Sequence, residues 1–152
     1  MRRTFQRKTV IILLALVFSA CHANLTPSQN LANIAGQIEQ TADQMILAAK
    51  TLNVSSPQVM TDNRLVAIAM AGDKVGRLGA DLANALMAYS SLKSAGGDTT
   101  AQATQIQTII GTMTQAFSDM GKQIPNGTIT TIDQSVTKIL GMIAQIKAGI
   151  GL

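Results

Sequence analysis

Apolar residues recur at alternating steps of three and four along most of this chain. Leu31, Ala35, Ile38, Ala42, Met45, Ala49 and Leu52 form a first such series. Leu65, Ile68, Gly72, Val75, Gly79, Leu82, Leu86 and Tyr89 form a second. Ala103, Ile106, Ile110, Met113, Phe117, Met120 and Ile124 form a third, and Ile129, Ile132, Val136, Ile139, Ile143, Ile146 and Ile150 a fourth. Steps of three and four keep side chains on one face of an α-helix, whereas a half-buried strand needs alternation at every second residue. Each series therefore predicts a helix, with an apolar stripe about 30–40 Å long at about 1.5 Å per residue.

The punctuation between the series agrees. "LTPSQ" (Leu25 to Gln29) reads as a helix start, with Thr26 as N-cap, Pro27 in the first helical position and Gln29 completing a capping box. "VSSP" breaks the chain at Val54–Pro57, and Ser56-Pro57 predicts a restart of the same kind. "SAGGD" ends the second segment, with Asp98 placed to cap the third, and "IPNGT" ends the third, with Thr128 or Thr130 placed to cap the fourth. The predicted helices run near residues 27–53, 57–93, 99–123 and 129–149. A single stripe cannot be buried alone, and short connections make consecutive helices antiparallel neighbours. The predicted fold is all-α, an antiparallel up-down four-helix bundle forming one domain over residues 21–152. Ile34, Ile46, Ile109, Ala116 and Leu140 lie beside the stripes and are expected to widen them.

The first 20 residues belong to a different pattern. Arg2, Arg3, Arg7 and Lys8 precede the apolar run Val10–Phe18, and small residues follow at Ser19, Ala20 and Ala23. That is the layout of a bacterial export signal, and the run falls short of the roughly 20 apolar residues of a membrane-spanning helix. Removing it changes the charge. The whole chain is +4, but all four cations of the signal segment leave with it. Lys50, Arg64, Lys74, Arg77, Lys93, Lys122, Lys138 and Lys147 then balance Glu39, Asp43, Asp62, Asp73, Asp81, Asp98, Asp119 and Asp133. Nucleic-acid binding needs a basic face, and a neutral body predicts no nucleic-acid partner.

"RRTFQRK" resembles the twin-arginine export motif, although Met1 and Gln6 depart from it; the strongly apolar core suits the general secretory route. "FSAC" resembles the lipobox of bacterial lipoproteins, with Phe18 where leucine is usual. That resemblance implies cleavage before Cys21 and lipidation of its thiol, which would tether the chain to a membrane. The alternative is cleavage after Ala23, which discards Cys21 and leaves a soluble periplasmic or secreted protein. Either product lacks a free thiol, which accounts for a lone cysteine in an oxidising compartment better than catalysis does.

Candidate chemistry is sparse. The only histidine, His22, sits beside the cleavage sites, so the body lacks the usual base of a nucleophilic site and the usual axial ligand of haem. Asp73, Arg77 and Asp81 share a helix face as a solvated ion-pair stripe, and Glu39 and Asp43 make one acidic turn with too few oxygens for a firm cation site. Met45, Met113 and Met120 fall on the stripes, with Met60, Met70, Met87 and Met142 beside them; thioethers can ligate copper(I), but at this spacing core filling is expected. No cofactor and no metal is expected. Gly72, Gly76 and Gly79 stand out, because each glycine costs about 1 kcal/mol in a helix interior. They predict close approach of another backbone, either against Ala35, Ala42 and Ala49 of the first segment or as a small-residue face for a partner helix. "LTPSQ" is also similar to the LTxxQ motif of the Spy/CpxP periplasmic chaperones, which are basic and charge-rich; here the motif occurs once in a neutral body, and helix capping accounts for it.

The expectation from sequence is an exported, non-enzymatic cell-envelope protein, anchored through lipidated Cys21, acting as a structural or protein-interaction module. The alternative is a soluble periplasmic chaperone-like or binding protein that uses an apolar groove of the bundle.

Overall fold

The computed structural model describes residues 27–124 and 127–152. Among them are four α-helices and no strand: α1 (Pro27–Ser55), α2 (Asp62–Ser94), α3 (Thr100–Gly121) and α4 (Thr130–Ile150). The segment expected to be an export signal, and Thr26, expected as an N-cap, lie outside the described residues.

Each helix buries its predicted stripe. Ile38, Met45, Ile68, Leu82, Ile106, Met113, Ile139 and Ile146 are almost wholly inaccessible and belong to one shared apolar core. Leu140 is the exception among the flanking residues expected to widen it, standing 39% exposed on α4. Thr41 is the one polar residue buried outright among the described residues, and its hydroxyl donates to the Gln37 carbonyl at 2.8 Å, so it enters the core satisfied.

The helices do not pack equally. α1 lies most extensively against α2; α2 also packs on α3 and α1 on α4, while α3 and α4 touch only slightly. Side-chain volume explains the inequality. α1 presents Ala35, Ala42 and Ala49 and α2 presents Gly72, Gly76 and Gly79, all buried, so little separates the two backbones. α3 and α4 fill the core with Ile106, Ile110, Met113, Phe117, Ile132, Met142 and Ile146, whose bulk holds their axes apart.

Contacts along α1 and α2 run in opposite order. The place a Cβ would occupy on Gly72 lies against Ile46, that of Gly76 against Ala42, and that of Gly79 against Ala35 and Glu39. At the far end, Gly149 of α4 sits against the side chain of Leu31, and the Tyr89 hydroxyl donates to the Ile150 carbonyl at 3.4 Å. The start of α1, the end of α2 and the end of α4 thus meet at one end of the molecule, and the α1–α2 turn lies away from them.

Two helices end in the same backbone motif. Gly96 (φ +70°) and Gly151 (φ +78°) adopt the left-handed conformation, and the next amide in each case reaches back to a carbonyl five residues earlier: Gly97 to Leu92, and Leu152 to Lys147, both at 2.9 Å. This is the Schellman arrangement that satisfies terminal carbonyls and that glycine adopts without penalty.

One predicted helix start and one predicted cap are corrected. The second helix begins at Asp62, not near residue 57, because residues 57–60 form a turn in which the Ser56 carbonyl accepts from the amides of Val59 and Met60. Side chains hold that turn: Asn53 Nδ2 donates to the Met60 carbonyl (2.8 Å) and to Asp62 Oδ1 (3.0 Å), and Arg64 donates to the Val59 carbonyl (2.6 Å). Met60 is fully buried by it. Burying Met60 and pairing these carbonyls outweighs the preference of Pro57 for a first helical turn. At α4 the N-cap position is Ile129, whose extended backbone turns its side chain into the core, and Thr130 is already helical. The Asp133 carboxylate reaches back to the Gly127 amide at 2.8 Å. Asp98 does bond the start of α3, accepting from the Thr100 amide (2.9 Å) and hydroxyl (2.6 Å).

Candidate interaction surface

Among the described residues, those singled out by sequence do not assemble into a site. Cys21 lies outside the described residues. Gly72, Gly76 and Gly79 are all buried against α1, so no accessible small-residue face remains there for a partner helix. Asp73 and Arg77 form an exposed ion pair without Asp81, and the Arg77 guanidinium is held above its ordinary range by that hydrogen bond and charge. Glu39 and Asp43 line a shallow polar depression on the outer face of α1 with Asn33, Gln37 and Gln40. Among the described residues no three His, Cys, Asp or Glu side chains gather as metal ligands. Of the methionines expected in the core, Met45, Met60, Met113, Met120 and Met142 are buried, but Met70 and Met87 are not. The stripe of α2 is narrow where it is built of glycine, and residues flanking it stand clear of the neighbouring helices.

Among the described residues, the large apolar side chains left exposed include Met87 on α2, Leu140 on α4 and Leu152, and a group of five around the α1–α2 turn. Leu47 and Val54 are seven residues apart on the outer face of α1, Val59 is in the turn, and Val66 and Met70 are four apart on α2. Val54 is 85% exposed and Met70 70%. All five fall between residues 47 and 70, around the α1–α2 turn, away from the end where α1 begins.

Beside them, a groove of about 180 Å³ opens between α2 and α3. Its floor is apolar, made by Ala67, Ala71, Ala116 and Met120, each nearly inaccessible. Met70, Lys74, Asp119 and Gln123 complete its walls. The Asp119 carboxyl is held below the ordinary aspartate range, first by the hydrogen bond from Lys122 and then by that from Gln115, with the charge of Lys74 adding to the effect. Both of those hydrogen bonds end on Oδ1, at 2.6 Å from Lys122 and 3.0 Å from Gln115. No nucleophile stands beside a base here. The groove offers apolar contact flanked by one cation and one anion, which suits a side chain of another protein.

The periodicity alone did not point to this groove. Ala67, Ala71, Ala116 and Met120 are small or slender residues on facing sides of two helices, and only their juxtaposition leaves a hollow. Leu47, Val54 and Val66 could have been noticed as apolar residues off the stripes. Gln102 carried no sequence signal at all, yet its Oε1 is shielded from solvent in the first turn of α3 without a hydrogen-bond partner. None of the described helices is long and apolar enough to cross a membrane. In comparisons with known proteins, no family model, no curated protein and no solved structure matches this chain.

Proposed function

We propose that this is an exported cell-envelope protein, tethered through a lipid on Cys21, whose body is an antiparallel up-down four-helix bundle serving as a non-enzymatic protein-interaction module. The observation that carries the reading is the cluster of exposed apolar side chains around the α1–α2 turn. An isolated exposed leucine or valine is ordinary, but several at one end of a molecule mark a contact surface. The tether and this surface are mutually consistent. Five residues separate Cys21 from the start of α1, a span of about 20 Å from Cys21 to Pro27 when extended. A lipid there would hold the end containing Leu31 and Gly149 near the membrane and turn Val54, Val59 and Val66 outward. The neutral charge of residues 21–152 supports a partner recognised by apolar contact and shape, with no role for nucleic acid.

Intact mass of the mature N-terminus tests the tether. Diacylglycerol and acyl mass on Cys21, together with palmitate labelling that disappears in Cys21→Ala, is the expected result. A mature chain beginning at Asn24 would overturn the lipid anchor and leave a soluble module. The α2–α3 groove also favours a second reading, a chaperone-like protein that holds unfolded clients. It predicts that substoichiometric amounts suppress aggregation of an unfolded substrate, and an inert result would remove it.

A further inference from the structure

Resting on the groove as an interaction surface, we infer that its occupant is a second copy of this chain, docked through the α2–α3 face about a two-fold axis running along the groove. A two-fold interface requires a self-complementary patch, in which each residue type meets its counterpart across the axis. This face meets the requirement in shape and in charge. Met70 projects from the rim on the α2 side, and the groove, about 180 Å³ over an apolar floor, is the size of one large side chain. A rotation about the groove axis lays α2 of one copy over α3 of the other. Met70 of each copy then enters the other's groove beside Met120 and Ala116.

The same rotation sets Lys74 of each copy opposite Asp119 of the other. Lys74 makes no ion pair or hydrogen bond among the described residues of its own chain, although it stands across the groove from Asp119. Asp119 directs Oδ1 to Lys122 and Gln115, so Oδ2 is the oxygen left to accept. Two symmetric Lys74–Asp119 pairs would form, one on each side of the axis. The face has limited extent: α3 is about 33 Å long and two helices side by side span about 20 Å. That is near the lower edge of the area a specific interface uses, so the dimer is reversible, not obligate.

The test uses the full-length chain expressed in cells, with a photoreactive benzophenone side chain replacing Met70, or Met87 as a control on another exposed part of α2. Light should yield a cross-linked dimer from position 70 and little from position 87. Position 70 joined to a different polypeptide, without dimer, overturns self-association while leaving the interaction surface standing. No adduct at position 70 overturns both. Equal dimer from both positions signifies random collision and overturns the proposal. In the same assay Lys74→Glu should lower the dimer yield, corresponding to association about tenfold weaker once two attractive pairs become repulsive. Lys74→Glu combined with Asp119→Lys should restore it, and failure to restore overturns the two-fold pairing.

Discussion

Gly76 and Gly79 lie three residues apart on α2, both buried, yet replacement by alanine should move stability in opposite directions. Alanine exceeds glycine by about 1 kcal/mol in helix propensity, and that gain applies at both positions. A Cβ at Gly76 would meet Ala42 Cβ and Glu39 Cγ at 4.0 Å, an ordinary contact. A Cβ at Gly79 would lie 3.2 Å from the Ala35 carbonyl oxygen and 3.3 Å from the Glu39 amide nitrogen. These atoms are backbone of α1, so relief requires moving a helix and not merely turning a side chain. Overpacking of that kind costs about 1–3 kcal/mol. Gly76→Ala should stabilise by up to about 1 kcal/mol, while Gly79→Ala should range from neutral to about 2 kcal/mol destabilising. Their separation, about 1–3 kcal/mol, is the quantity to measure. Urea unfolding followed by far-UV circular dichroism would report it as a gap of about 1 M in midpoint, given slopes of about 1–3 kcal/mol per M. Gly111→Ala on α3, where a Cβ meets nothing within 4 Å, isolates the propensity gain. If Gly79→Ala raised the midpoint as much as Gly76→Ala and Gly111→Ala, the close approach of α1 and α2 would be refuted.

Asn53→Ala removes the amide that clamps the Met60 carbonyl and should cost about 1–2 kcal/mol in urea unfolding, with faster amide exchange confined to the α1–α2 turn. Gln102→Met replaces a shielded, unpartnered oxygen with an apolar side chain of similar length; unfolding should shift by up to about 1 kcal/mol toward greater stability. Ile68→Ala opens a cavity at a fully buried position and should cost about 2–5 kcal/mol, whereas Val66→Ala, two residues away and exposed, should change stability by less than about 0.5 kcal/mol. Acid titration adds a sign. Asp98 and Asp119 have folded-state values below the ordinary one, from the Thr100 bonds and from Lys122 respectively, so their contribution is full above the unfolded value and fades as pH falls through the folded one. Thermal unfolding followed from pH 7 to pH 2 should therefore show a decline below about pH 4 that is shallower in Asp98→Asn.

Much of this molecule is legible in its residues, and the remainder is not for identifiable reasons. The stripes of three-and-four spacing correspond to four helices whose buried sides match them, because a helix facing water on one side must sort its side chains by polarity. Gly96 and Asp98 were recognisable as end signals because their effect is local, on amides and carbonyls within a few residues. The start of α2 was misread for the opposite reason. Pro57 favours a helix locally, but Met60, Asn53 and Arg64 decide the turn through contacts made only after α1 and α2 have come together.

Surface features depended on assembly still more. Helical spacing cannot distinguish Met142, buried on α4, from Met70, which projects into solvent from α2. Each lies beside an apolar stripe, and only the distance to neighbouring helices separates core from rim. That distance is set by side-chain volume: alanine and glycine bring α1 and α2 together, while isoleucine, methionine and phenylalanine keep α3 and α4 apart. The sequence by itself determined the helices, their buried faces and a neutral body. Tertiary structure alone decided which apolar residues stayed outside and where α2 and α3 leave a groove, because exposure is a property of what packs beside a residue and not of the residue.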